Sequence, residues 1–134
     1  MADPHRALIY TMVIVTAADS DLPEAELRII ADIVRDLPVF RGFDRKKLPA
    51  LLRDCTELLG GEEGLEKTLE AIKQGLPAKL RETAYAIACD LVASDGEAKQ
   101  SELQALELIR HRLNLDRLVA AAIERGSRAR FQTV

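Results

Sequence analysis

Apolar residues recur every three to four positions along nearly the whole chain, and strand-type alternation is nowhere convincing. The pattern predicts about seven helices. The first begins at Asp3-Pro4, an N-cap followed by proline at the first helical position. It runs to about Ala18. Its stretch "ALIYTMVIVTAA", residues 7–18, is apolar almost all round. A membrane span needs roughly 20 such residues, so this one reads as a helix buried in a protein core. The second helix begins near Asp21-Leu22-Pro23-Glu24, with Asp21 and Glu24 at capping-box spacing. Leu27, Ile30, Ile33, Val34 and Leu37 form its stripe.

The segment "LPVFRGF", residues 37–43, is a loop broken by Pro38 and Gly42. Asp44 caps the third helix, with Leu48, Leu51, Leu52, Cys55, Leu58 and Leu59 inward. Pro49 makes its first turn irregular, and Gly60-Gly61 ends it. The fourth helix buries Leu65, Leu69, Ile72 and Leu76 and closes at Gly75. The fifth, about 77–94, buries Leu80, Ala84, Ile87, Leu91 and Val92. The sixth, about 98–113, buries Leu103, Leu106, Ile109 and Leu113. Asp116 caps the seventh, with Leu118, Val119, Ala122 and Ile123 inside. The basic tail "GSRARFQTV" from Gly126 is expected to fray. The fold class is therefore all-α, a compact bundle of about seven helices.

Composition sharpens this picture. A chain of 134 residues suits one domain, residues 1–134, with a real core. Aromatics are only 4% and Trp is absent, so Leu, Ala and Ile carry the burial. The net charge of −3 gives no general attraction to nucleic acid. Cys55 and Cys89, the only cysteines, lack zinc-site spacing and read as reduced, partly buried thiols of a cytosolic protein. "MADPHR" does not have the order of a signal peptide.

Two stretches repeat. "AADSDLPEAEL", residues 17–27, and "ASDGEAKQSEL", residues 93–103, each follow an apolar helix and lead into another. A displacement of 76 pairs Asp19 with Asp95, Asp21 with Glu97, Glu26 with Glu102 and Leu27 with Leu103. It also pairs Ile33 with Ile109 and Leu37 with Leu113. After a longer loop in the first copy, Asp44-Arg45 corresponds to Asp116-Arg117. The repeat spans about residues 8–37 and 84–113. Two copies suggest two pseudo-symmetric helical hairpins with the fourth helix as connector, since a solenoid would want at least three.

The duplicated acidic turn between an apolar helix and a Leu/Ile stripe resembles the TerB-like fold of tellurite-resistance proteins, over about residues 5–125. It is also similar to the N-terminal module of some membrane-anchored DnaJ-like co-chaperones, although the chain holds no J-domain sequence. The resemblance implies an all-helical domain with clustered acids and a link to tellurite or general stress resistance or to membrane-associated assemblies. It implies no catalytic reaction. Ser20 stands where the second copy has Gly96, and glycine tolerates positive φ far better than serine.

Asp19 and Asp95 lie near helix C-termini, where the dipole disfavours an anion by about 0.3–1 kcal/mol. Glu26 and Glu102 lie early in the following helices, where it favours one. Two readings of these acids stand side by side. They are turn and cap residues, or Asp19, Asp21, Glu26, Asp95, Glu97 and Glu102 form a divalent site where the turns meet. An all-oxygen donor set favours Ca²⁺, Mg²⁺ or Mn²⁺ over zinc. The turns are not EF-hands, because Pro23 or Lys99 stands where that loop needs an acid or Asn.

Nothing points to an enzyme. His5 and His111 are far apart, His111 is flanked by Arg110 and Arg112, and no nucleophile elbow, phosphate loop or dinucleotide fingerprint is present. The basic cluster "RGFDRKK", residues 41–47, reads as a solvated loop with Phe40 and Phe43 turned inward or as a docking site for phosphate, a membrane surface or an acidic partner. The expected role is a non-enzymatic interaction or sensing module in stress or tellurite resistance, with a purely structural adaptor as the alternative. Protein partners are expected, membrane-associated ones and a second copy of the chain among them, but no nucleic acid. The expected location is the cytoplasm, at most peripheral to the inner face of a membrane.

Overall fold

The computed structural model describes residues 3–17, 23–94, 96 and 98–134. Among these the chain forms seven α-helices and no strand: α1 (Pro4–Thr16), α2 (Glu24–Asp36), α3 (Leu48–Gly60), α4 (Gly64–Gly75), α5 (Arg81–Ser94), α6 (Gln100–Arg112) and α7 (Arg117–Arg130). Helix α1 starts as its sequence dictates. Asp3 accepts from the Arg6 amide at 3.2 Å and Pro4 takes the first helical position. Every residue from Ala7 to Thr16 is buried. Such a helix has no polar face to spare, and it lies at the centre, in contact with α2, α3, α4, α5 and α6. Its two buried hydroxyls are answered within the helix, Thr11 donating to the Ala7 carbonyl at 2.8 Å and Thr16 to Met12 at 2.9 Å.

Helix α5 is the second core helix and packs on α1, burying Ala84, Tyr85, Ile87, Ala88, Cys89, Leu91 and Val92. Helix α3 packs on α1 and α7 on α5, α2 touches α1 and α6 touches α5, and α4 bridges to α1, α3 and α6. Arg112 of α6 clasps α4, donating to Glu66 at 2.6 Å and lying 3.7 Å from Glu70. A displacement of 76 carries the bounds of α2 onto those of α6. Asp44 and Asp116 both cap, the first accepting from the Lys46 amide and the second from Leu118 and Val119. The turn that Asp44 caps is a 3₁₀ turn, Arg45–Lys47, which leads into α3 with Pro49 in its first turn. That is the irregular start the proline requires.

Four expectations are corrected. The first concerns the start of α2, whose N-cap is Pro23, a residue with no side-chain acceptor. Glu24 is thus the first helical residue and not the third, and the capping-box reading of Asp21 and Glu24 fails; Asp21 itself lies outside the described residues. The second concerns Leu65 and Leu103, which are 44% and 45% exposed. Thr68 and Leu69 of α4, and Glu102, Ala105 and Leu106 of α6, turn inward in their place. The third concerns α7, where Leu118 is 78% exposed and Ala122 is exposed, while Ala120 and Ser127 are buried. The fourth is the tail, which is helical to Arg130. Ser127 donates to Asp90 of α5 at 2.5 Å, and Arg130 pairs with the same carboxylate.

Candidate functional site

Of the six acids of the repeated turns, Asp19, Asp21, Asp95 and Glu97 lie outside the described residues. Glu26 and Glu102 are described, and each is the third residue of its helix. The backbone delivers them alike. Pro23 and Lys99, the residues just before α2 and α6, have nearly the same extended conformation, with ψ of 151° and 154°. The helix dipole favours a carboxylate in this first turn. Glu26 is half-buried and Glu102 is only 5% exposed. The Lys99 amide donates to Glu102 Oε1 at 3.0 Å, the reciprocal half of a capping box. Glu102 thus acts at the helix start, as the turn-and-cap reading of these acids has it, although Lys99 and not Ser or Thr stands at the N-cap. Gly96 has φ of +78°, so the second turn uses the left-handed conformation open to glycine. A Cβ there would meet nothing within 4 Å, so backbone strain alone selects against a side chain. Among the described residues, no three His, Cys, Asp or Glu side chains are grouped as a metal site requires.

A second feature arises where α5, α6 and α7 converge beside Gly96 and Ala98. They enclose an open groove of about 550 Å³, floored by Tyr85, Cys89, Val92 and Leu106. The Tyr85 hydroxyl donates to Glu124 Oε2 at 2.6 Å. Burial, and then this bond, raise the Tyr85 pKa well above its ordinary value. Burial, with the nearby Glu124 charge adding to it, pushes the Cys89 thiol up to about 12. A thiol held in that state is a poor nucleophile at neutral pH. Leu103 and Phe131, at 45% and 42% exposure, form apolar parts of the lip. The sequence did not point to this groove, because its walls come from three helices and from positions 85 to 132.

The remaining candidates resolve simply. His5 stacks on Phe40, with ring centroids 5.5 Å apart, and meets Phe43 edge-on at 5.3 Å. Its Nε2 hydrogen-bonds the Val39 carbonyl at 2.9 Å. Phe40 is buried and Phe43 packs against the core, so the aromatic residues of the basic loop turn inward and leave Arg41, Arg45, Lys46 and Lys47 exposed. His111 is exposed on α6 beside Arg110 and Glu107. Cys55 and Cys89 are free and buried. Among the described residues, no helix is long and apolar enough to cross a membrane.

Comparison with known proteins agrees with the architecture. The family described as tellurite resistance protein TerB matches residues 5–125. Comparison with curated proteins and with solved structures gave no match. The match spans both acidic turns, all but the first residue of α1, all of α2 to α6 and most of α7. With most of its length matched, the chain belongs to the TerB family of tellurite-resistance proteins.

Proposed function

We propose that this chain is a non-enzymatic interaction and sensing domain in tellurite or general stress resistance. Its two acidic turns hold a divalent cation, Ca²⁺, Mg²⁺ or Mn²⁺, through Asp19, Asp21, Glu26, Asp95, Glu97 and Glu102. The observation that carries the reading is the equivalence of Glu26 and Glu102. Both stand third in their helices, and both follow their Asp by seven residues, although the residues that start the two helices differ. Oxygen donors alone suit hard cations. Family membership supports the setting in tellurite resistance, and the lack of any nucleophile or phosphate-loop motif agrees with a role in binding rather than chemistry. The domain works in the cytoplasm, where the exposed basic cluster 41–47 on a net acidic chain suits docking to an acidic partner.

One observation favours the second reading, a structural adaptor whose acids only start helices: Glu102 Oε1 is engaged by the Lys99 amide. Glu102→Gln separates the two, because the amide side chain keeps an acceptor oxygen for Lys99 but loses the charge a cation needs. Titration calorimetry with Ca²⁺ and Mn²⁺ is expected to show binding by the native chain. Glu102→Gln and Glu26→Gln should each weaken it at least about tenfold, the range of one lost charge-assisted contact of about 1.5–3 kcal/mol, with the metal-free melting temperature nearly unchanged. No heat from either ion, together with a melting temperature indifferent to chelator, sinks the cation site and leaves the adaptor.

A further inference from the structure

Helices α2 and α6 hold equivalent places in the repeat, 13 residues each and displaced by 76, so each is a measure of the other. Helix α6 is gripped by α1, α4 and α5. It buries Glu102, Ala105, Leu106 and Ile109, and its Arg112 donates to Glu66 of α4 at 2.6 Å. Helix α2 has its principal contacts with α1 and with the 3₁₀ turn Pro38–Phe40 that follows it in the chain. It buries only Ile30 and Val34, while Leu27, Ile29 and Ile33 stay half-buried. Its arginines make their ion pairs inside the helix, Arg28 lying 3.9 Å from Glu24 and Arg35 lying 3.2 Å from Asp32 and 2.8 Å from Asp36. Pro23 at its start offers no side-chain acceptor. A helix with a thin apolar seam and locally paired arginines is the kind that parts from a bundle without unfolding the rest.

We infer that α2 is a hinged cover, which leaves α1 as one unit by turning about Leu37 while the other helices stay packed. Leu37 has the extended conformation, with ψ of 133°, that a residue before proline prefers. The helix therefore ends there by covalent geometry. Beyond it the chain is anchored. Phe40 is buried, His5 of α1 stacks on it with ring centroids 5.5 Å apart, and His5 Nε2 hydrogen-bonds the Val39 carbonyl at 2.9 Å. A lightly held helix on one side of Leu37 and an aromatic anchor on the other place the φ/ψ change of opening at that residue. Opening uncovers the part of α1 that α2 shields. It gives the domain an element with two discrete arrangements, which is what any signal passing through it must bias.

The test is native-state hydrogen exchange, followed by NMR on the isotope-labelled full chain in low urea with chelator present. Amides from Arg28 to Leu37 should be protected at least about a hundredfold less than those of α1 and α5. They should share one urea dependence, smaller than that of global unfolding. Two conservative variants separate the opening of α2 from global unfolding. Ile109→Val trims a buried side chain of α6, which stays packed when α2 opens. Protection in α1, α5 and α6 should fall severalfold, and protection in α2 should not change. Ile30→Val thins the α2 seam itself, so protection should fall severalfold in α2 and by the same factor elsewhere, because the closed state is the reference for every amide. The inference is overturned by any of three results: α2 amides as well protected as those of α5, α2 amides that exchange one by one without urea dependence, or an Ile109→Val variant that lowers protection in α2 as much as elsewhere. Because the chelator removes divalent ions from the experiment, its outcome is independent of the cation site.

Discussion

Cys55 and Cys89 sit in apolar surroundings that exclude water, and burial pushes both thiols from about 9 to about 12. For Cys55 the nearby Arg6 opposes the shift, and for Cys89 the Tyr85 hydroxyl does. Tyr85 is displaced in the same direction, first by burial and then by its bond to Glu124. Each group therefore holds its proton more firmly in the folded chain than in the unfolded one. Their contribution to stability is complete below the unfolded pKa values and is lost as pH rises toward the folded ones. Urea unfolding should accordingly give a steady free energy from about pH 7 to 8.5 and a decline above about pH 9. Cys55→Ala should flatten that decline, whatever it costs at neutral pH. In the same chain at pH 8, a disulfide reagent should label the native thiols slowly and the urea-unfolded thiols at once. Prompt labelling of both in the native state would contradict the burial on which the argument depends.

At the level of helices, two glycines in helical positions make opposite demands. Gly75 ends α4 where that helix meets α1, and a Cβ on it would lie 2.9 Å from Ala7 Cβ and 3.2 Å from the Asp3 carbonyl. Neither neighbour is the end of a flexible side chain. Gly75→Ala should therefore destabilise the chain, with overpacking of about 1–3 kcal/mol outweighing a propensity gain of up to about 1 kcal/mol. Gly126 lies inside α7, where the nearest atom to a new Cβ is Arg130 Nη1 at 3.8 Å. Gly126→Ala should stabilise by about 0.5–1 kcal/mol. Urea midpoints of the two variants, measured side by side, check both signs. The same helices show what local sequence can and cannot convey. The Asp3, Asp44 and Asp116 caps and the all-round apolarity of α1 are short-range features, and they were legible. Leu103 and Leu118 share the periodicity of their stripes, but bundle closure, not periodicity, decides which edge of a stripe is covered. The end of α7 reads as a frayed basic tail because its anion, Asp90, lies 37 residues from Ser127 and 40 from Arg130. The α5–α6–α7 groove escaped notice for the same reason.

The whole molecule is organised around a central helix whose residues from Ala7 to Thr16 are all buried and around the helices that cover it. Helix α1 cannot be shielded by α2 alone, which buries only Ile30 and Val34. Most of its cover comes from α3, α4 and α5. A fragment ending after α3, at residue 61, should therefore be insoluble or bind a hydrophobic dye strongly, whereas the full chain should do neither; a soluble, dye-silent fragment would show that α1 has cover from a nearer source. Charge is segregated on the same scale. On α7, Arg117, Arg125 and Arg128 are exposed and Arg130 pairs with Asp90, on a chain of net charge −3, while Glu26 and Glu102 lie in the first turns of α2 and α6. Such polarity orients encounters with a charged partner before any contact forms.

The burial of α1 has a further consequence for the order in which the protein is made. Ribosomes release chains from the N-terminus at about 5–20 residues per second, so the most apolar helix emerges before the helices that cover it exist. Several seconds pass before residue 94 is free and α5 can dock on α1. During that interval the segment from Ala7 to Thr16 is apolar chain without its cover. Slowing translation over residues 17–80 should lengthen that exposure and lower the soluble yield, and speeding it should raise it. For this chain, the order of synthesis runs against the order of packing.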